Sequence, residues 1–201
     1  MIAVALLLGS LCQGVVEDYF PLTSGTRWVY EEKSGDQTNV VVDEALPPIR
    51  IDGKMAFPVT SKIDGRVIET RFYGLIDNTI HIVAFKQDSP LSEPIPVLKF
   101  DGKRTSWEFS GMTPMQTIPV PLTLRGTADA KGKRTVLGMT ANVIESTVTG
   151  VLDTGGGTKI ESKQVAIYAQ GIGLIEFKEW RKIADRETVT TTTLVKFTQP
   201  N

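Results

Sequence analysis

Arg27-Trp28-Val29-Tyr30-Glu31 sets two aromatic rings two residues apart. In an extended strand successive side chains point to opposite faces. Trp28 and Tyr30 therefore share one face, and Arg27, Val29 and Glu31 the other. Near the C-terminus Val189, Thr191, Thr193, Val195 and Phe197 alternate in the same way. The β-branched or aromatic runs at residues 40–42, 79–85, 139–149 and 165–169 predict further strands. Asp52-Gly53, Asp64-Gly65 and Asp101-Gly102 predict hairpin turns, since glycine tolerates the positive φ of tight primed turns. Lys131-Gly132 and Gly155-Gly156-Gly157 predict two more turns. With 18 Gly and 11 Pro, and no stretch of helical period with caps, the chain is expected to be all-β.

Pro90, Pro94, Pro96, Pro114, Pro119 and Pro121 cluster mid-chain. Proline cannot donate to a strand ladder, so these segments are expected at sheet edges or in extended connections. The cluster also divides two segments of similar pattern. Residues 21–30 and 97–109 each run from a hydrophobic lead-in through a glycine turn with a basic residue to Trp-x-aromatic. Two related halves, residues 19–87 and 97–198, would pair into one strongly curved antiparallel sheet or open half-barrel. Chance likeness between β segments is the rival explanation.

Asp18-Tyr19-Phe20-Pro21-Leu22-Thr23-Ser24-Gly25-Thr26-Arg27-Trp28-Val29-Tyr30, followed much later by Gln170-Gly171-Ile172-Gly173-Leu174-Ile175, resembles a group of uncharacterised exported bacterial β-sheet proteins. These open on an aromatic-Pro-Leu, Gly, Trp-x-Tyr signature and carry a late Gly-x-Gly-Leu motif. The resemblance implies a strongly curved antiparallel sheet in the periplasm or outside the cell. It carries over no functional residues.

Residues 2–11 are apolar apart from Gly9 and Ser10, and no charge precedes Glu17. Such a run is short for a membrane span but suits the core of a signal peptide. Residues 1–14 are read as that signal, cut ahead of Val15, and residues 15–201 as a single β domain. The basic residues usual after Met1 are missing. Cys12 is the only cysteine, and Gly9-Ser10-Leu11 before it is a poor lipidation motif, so plain secretion is preferred over a lipid anchor. The mature chain then has no disulfide and no thiolate chemistry. No other apolar run is long enough to span a membrane. Lys and Arg total 22 against 23 Asp and Glu, a balance that argues against nucleic acid as a partner.

Catalytic patterns are absent. His81, the only histidine, shares its strand face with Val83 and Phe85 and has no cysteine partner or Gly-x-Ser-x-Gly elbow. Glu31-Glu32 and Asp43-Glu44 are adjacent pairs whose members point apart on a strand, so neither can act as a paired acid and base. Solvent-facing charge is the plainer reading of both. Residues 126–134 have the wrong spacing for a phosphate loop, and Lys131, Lys133 and Arg134 read as a hairpin tip. Gly171-Ile172-Gly173 lacks the third glycine of a dinucleotide fingerprint and reads as a bend. Neither a cofactor nor a metal is expected.

The aromatics remain. Trp28 with Tyr30, and Trp107 with Phe109, each present two rings on one face. They are either hydrophobic core or the lining of a pocket for an apolar ligand. The expected function is a non-enzymatic, exported binding or assembly module of the cell envelope, with an unidentified envelope protein as partner. The alternative is a periplasmic carrier of a lipid or other apolar small molecule in an open barrel.

Overall fold

The computed structural model describes residues 16–115 and 118–200. The expected signal segment and Cys12 lie outside the described residues. Among the described residues a short 3-10 helix, Val16–Tyr19, precedes thirteen strands: β1 (Arg27–Ser34), β2 (Gln37–Ala45), β3 (Ile49–Ile51), β4 (Lys54–Ile63), β5 (Arg66–Ile76), β6 (Thr79–Lys86), β7 (Ser89–Lys99), β8 (Thr105–Met115), β9 (Ile118–Val136), β10 (Met139–Asp153), β11 (Lys159–Ala169), β12 (Gly173–Ile183) and β13 (Arg186–Thr198). Every pairing is antiparallel. The order across the sheet is β7-β6-β5-β4-β2-β1-β13-β12-β11-β10-β9-β8, with β3 beside β4. The expected all-β class and strongly curved sheet are therefore what the chain adopts. The sheet closes almost completely into a barrel, and β7 and β8, its two edges, meet at one unsealed seam.

Local chemistry explains most of the turns. Asp52 and Gly53 have φ of 50° and 75°, as do Asp64 and Gly65, and Asp77 and Asn78 have φ of 48° and 55°. Both central positions of a type I′ turn need this left-handed backbone, which Asp, Asn and Gly tolerate best. Three expectations need correction. The chain does not turn at Lys131-Gly132, because β9 runs straight through it to Val136. Gly132, at φ 79°, instead makes a bulge, so that Asn142 pairs with Lys133 while Ile144 pairs with Ala130. The turn falls at Leu137-Gly138. Lys131 and Arg134 are consequently not a hairpin tip: Lys131 reaches Glu145 on the adjacent β10 at 3.5 Å, and Arg134 reaches Glu176 on β12, three strands along the sheet, at 2.8 Å.

The second correction concerns β13. Lys196 lies opposite Val29 and Leu194 opposite Tyr30, so Val195 is an extra residue and the alternation changes phase there. Leu194 is buried and Phe197 packs on Trp28, whereas Val189 and Val195 are exposed. The third concerns Asp101-Gly102. It connects β7 to β8, but no backbone ladder joins these strands, so the turn crosses the seam instead of closing a hairpin. Proline explains why: Pro90, Pro94 and Pro96 lie on β7 and Pro114 on β8, and none has an N–H to offer. Edge placement of this part of the proline cluster is as expected, while Pro119 and Pro121 lie on β9, one strand in.

The 3-10 helix plugs one end of the barrel. Val16 and Tyr19 are buried, Tyr19 meets Phe100 edge-on at 5.4 Å, and Phe20 approaches Tyr73 at 4.9 Å and Tyr168 at 6.0 Å. Above this plug the interior is filled from both halves of the chain: Tyr73, Ile80 and Leu98 meet Trp107, Ile144 and Tyr168. A second cluster joins Trp28, Tyr30 and Val41 to Val143, Ile172 and Leu194. On the outer face Phe72 and Ala84 pack beneath Ile51 of β3.

Candidate functional site

Trp28 and Tyr30 are core residues. The Trp28 Nε1 donates to the Ile172 carbonyl at 2.6 Å, and the Tyr30 hydroxyl to the Leu174 carbonyl at 3.3 Å. The Gly171 N–H reaches Asp18 O at 2.7 Å. A Cβ at Gly173 would lie 3.3 Å from both Pro21 and Trp28. The early and late motifs thus pack on each other across 144 residues of chain and close the plugged end.

Trp107 lies in the first core cluster, against the backbone of Gly126, where any side chain would overlap its ring. Phe109, two residues on, is only partly buried. The structure therefore places Trp28 and Tyr30 in one cluster, Trp107 in the other, and Phe109 beyond both. Phe109 pairs across the sheet with Leu124, Leu124 with Gly150, and Gly150 with Ser162. These four residues, with neighbours from the same strands, line a concavity of about 680 Å³ across β8–β11, toward the end away from the plug.

The strands of the first half carry a polar cluster. Arg71 bonds Glu69 at 2.5 Å and also reaches the Tyr73 hydroxyl. Its side chain keeps 46% of its surface open. Burial opposes the Arg71 charge, but Tyr73 and Glu69 outweigh it and hold the guanidinium protonated more firmly than usual. Burial pushes the hydroxyls of Tyr30, Tyr73 and Tyr168 above their ordinary range, so all three stay neutral donors.

Asp43 corrects the expectation of solvent-facing charge. It pairs with Trp28 and Ser61 across the sheet, and its Oδ1 is buried without a partner among the described residues. Its neighbour Glu44 turns the other way and holds Lys62 at 2.8 Å. Burial raises the Asp43 pKa, partly offset by Ser61 and Arg71. The folded state thus holds this proton more tightly than the unfolded chain does. Its contribution to stability is complete below the ordinary carboxylate pKa of about 4 and is lost as pH rises through the raised value. Asp43→Asn should therefore stabilise the protein at pH 7 by on the order of 1 kcal/mol, roughly 2–4 °C in melting temperature. Thermal melts from pH 4 to 8 check this: the gain over wild type should shrink toward the acid end.

His81 sits on β6, second from the edge, with Nδ1 3.0 Å from the Thr79 carbonyl oxygen, and burial lowers its pKa. Among the described residues no group of three or more His, Cys, Asp or Glu side chains could hold a metal ion. No helix among them is long and apolar enough to cross a membrane. Sequence reasoning missed Arg71, Glu69 and the enclosed Asp43. The period of two from Glu69 through Arg71 to Tyr73 was the available signal.

No family model matches the chain, and no curated protein matches it. Among solved structures, a provisionally assigned lipoprotein of Parabacteroides distasonis superposes with a TM-score of 0.50 at 9% identity, over 90% of this chain and 98% of that one. A provisionally assigned exported protein with a YmcC-like fold from Bacteroides fragilis gives 0.44 at 9% identity, over 88% and 96%. The hypothetical lipoprotein YmcC of Escherichia coli gives 0.33 at 11% identity, over 86% and 88%. The first of these likenesses shows the fold, a curved antiparallel sheet of the same kind, and that alone.

Proposed function

We propose that this protein is an exported, non-enzymatic binding module of the cell envelope, and that it binds through the concavity around Phe109. One observation carries the reading: Trp28, Tyr30 and Trp107 fill the interior, whereas the space beside Phe109 and Leu124 stays open. The concavity sets the apolar side chains of Phe109, Leu124 and Val151 among polar ones that include Ser110, Thr123, Thr149 and Ser162, and a preformed concave surface that combines both kinds is the usual form of a binding site. Export draws support from the apolar run at residues 2–11 and from the lipoprotein described for the P. distasonis structure.

Two occupants fit. The first is a side chain or segment of an envelope protein. The second is a lipid or other small apolar molecule carried in the concavity, which the side chains of Phe109 and Leu124 favour. Native mass spectrometry of the protein released from the envelope, with organic extraction of what co-purifies, separates them. A stoichiometric apolar adduct establishes the carrier reading. A bare polypeptide mass directs the search to protein partners, and a turnover product from a hydrolase substrate screen would overturn the non-enzymatic reading.

A further inference from the structure

We propose that residues 91–94 of β7 form a flap at the edge of the concavity, latched to β8 by Glu93, and that opening this flap admits an apolar ligand through the seam. The inference rests on the carrier reading above. On β6, Ile82 pairs with Ile95 and Ala84 with Pro90, so the four residues between Pro90 and Ile95 face only Val83 and lack a regular ladder. Pro90 and Pro94 bound this stretch and bring no N–H to either neighbour. On the seam side, β7 and β8 share no backbone ladder.

Glu93 spans the gap. Its Oε2 accepts the Met112 N–H at 3.0 Å, doing for β8 what the carbonyl of a neighbouring strand would do. The carboxylate lies in the space that a side chain at Gly111 would occupy, next to the Phe109 ring. The latch therefore sits beside Phe109, a residue that lines the concavity. Glu93 is exposed, and a segment with few ladder bonds and few apolar contacts opens far more readily than the core. A second seam bond, from the Thr105 hydroxyl to the Lys99 carbonyl at 2.9 Å, lies near the Asp101-Gly102 turn and leaves the flap free to move about that end.

Stopped-flow fluorescence with N-phenyl-1-naphthylamine, an apolar probe, tests the latch in wild type, Glu93→Ala and Glu93→Gln. Glu93→Ala should speed association and dissociation several-fold together, with equilibrium affinity and melting temperature little changed. Glu93→Gln keeps an oxygen that can accept the Met112 N–H and should stay near wild type. Hydrogen exchange at the Met112 amide should accelerate in Glu93→Ala alone. Unchanged probe kinetics in Glu93→Ala would overturn the gate and leave the carrier reading standing. Weaker affinity with an unchanged association rate would make Glu93 a ligand contact, which also overturns it. Absence of probe binding in all three proteins would remove the carrier reading and the gate with it.

Discussion

Replacing Trp28 by alanine should lower the unfolding free energy by about 3–5 kcal/mol, the range for truncating a buried aromatic. The ring is 6% exposed, packs on Phe197 and Gly173, and its Nε1 satisfies the carbonyl of Ile172. The truncation leaves both a cavity and an unpaired buried acceptor, so the upper part of the range is expected. Urea unfolding followed by circular dichroism measures it. A midpoint shift worth less than about 1 kcal/mol would mean that Trp28 is not core and that the two sequence motifs do not close the barrel as described.

The second large effect runs through a glycine. Gly126 lies under the Trp107 ring so closely that an alanine Cβ would overlap the indole. Gly126→Ala must push Trp107 out of the first core cluster or bend β9 away from β8. Overpacking of this kind costs roughly 1–3 kcal/mol. Tryptophan fluorescence should shift to the red as the ring meets water. Pairing the change with Trp107→Leu, which frees the space, should recover part of the loss at Gly126. Independent, additive effects of the two substitutions would contradict direct packing.

The sequence carried the fold class because local signals and global architecture agree. Alternation at Trp28 and Tyr30 marks a strand with one buried face, and Asp52-Gly53 and Asp64-Gly65 mark turns that need a left-handed backbone. It misled where one local signal has two structural uses. A glycine with positive φ serves a bulge at Gly132 as well as a turn at Gly138. A bulge at Val195 reverses the buried face of β13 midway, which no fixed period of two can announce. The Asp101-Gly102 turn has hairpin chemistry, but the prolines of β7 and β8 deny it a ladder.

The site was less legible than the fold. Trp28, Tyr30 and Trp107 lie in the packed interior, and of the four rings only Phe109 lines the concavity. What separates them is depth along the barrel, set by where the plug around Val16 and Tyr19 inserts, and depth has no signature in alternation. Asp43 and Arg71 are equally hidden, because a charged residue at an inward position looks the same in sequence as one at an outward position.

The most direct test of the central claim, that binding belongs to the concavity and not to the packed interior, is a titration of wild type and Phe109→Ala with N-phenyl-1-naphthylamine, with a thermal melt of each. The probe should bind wild type with one-to-one stoichiometry, and Phe109→Ala should bind it at least about tenfold more weakly, a loss of roughly 1.4 kcal/mol, while its melting temperature stays close to that of wild type. Equal binding by both proteins, or a Phe109→Ala variant that unfolds as Trp28→Ala is expected to, would contradict the account.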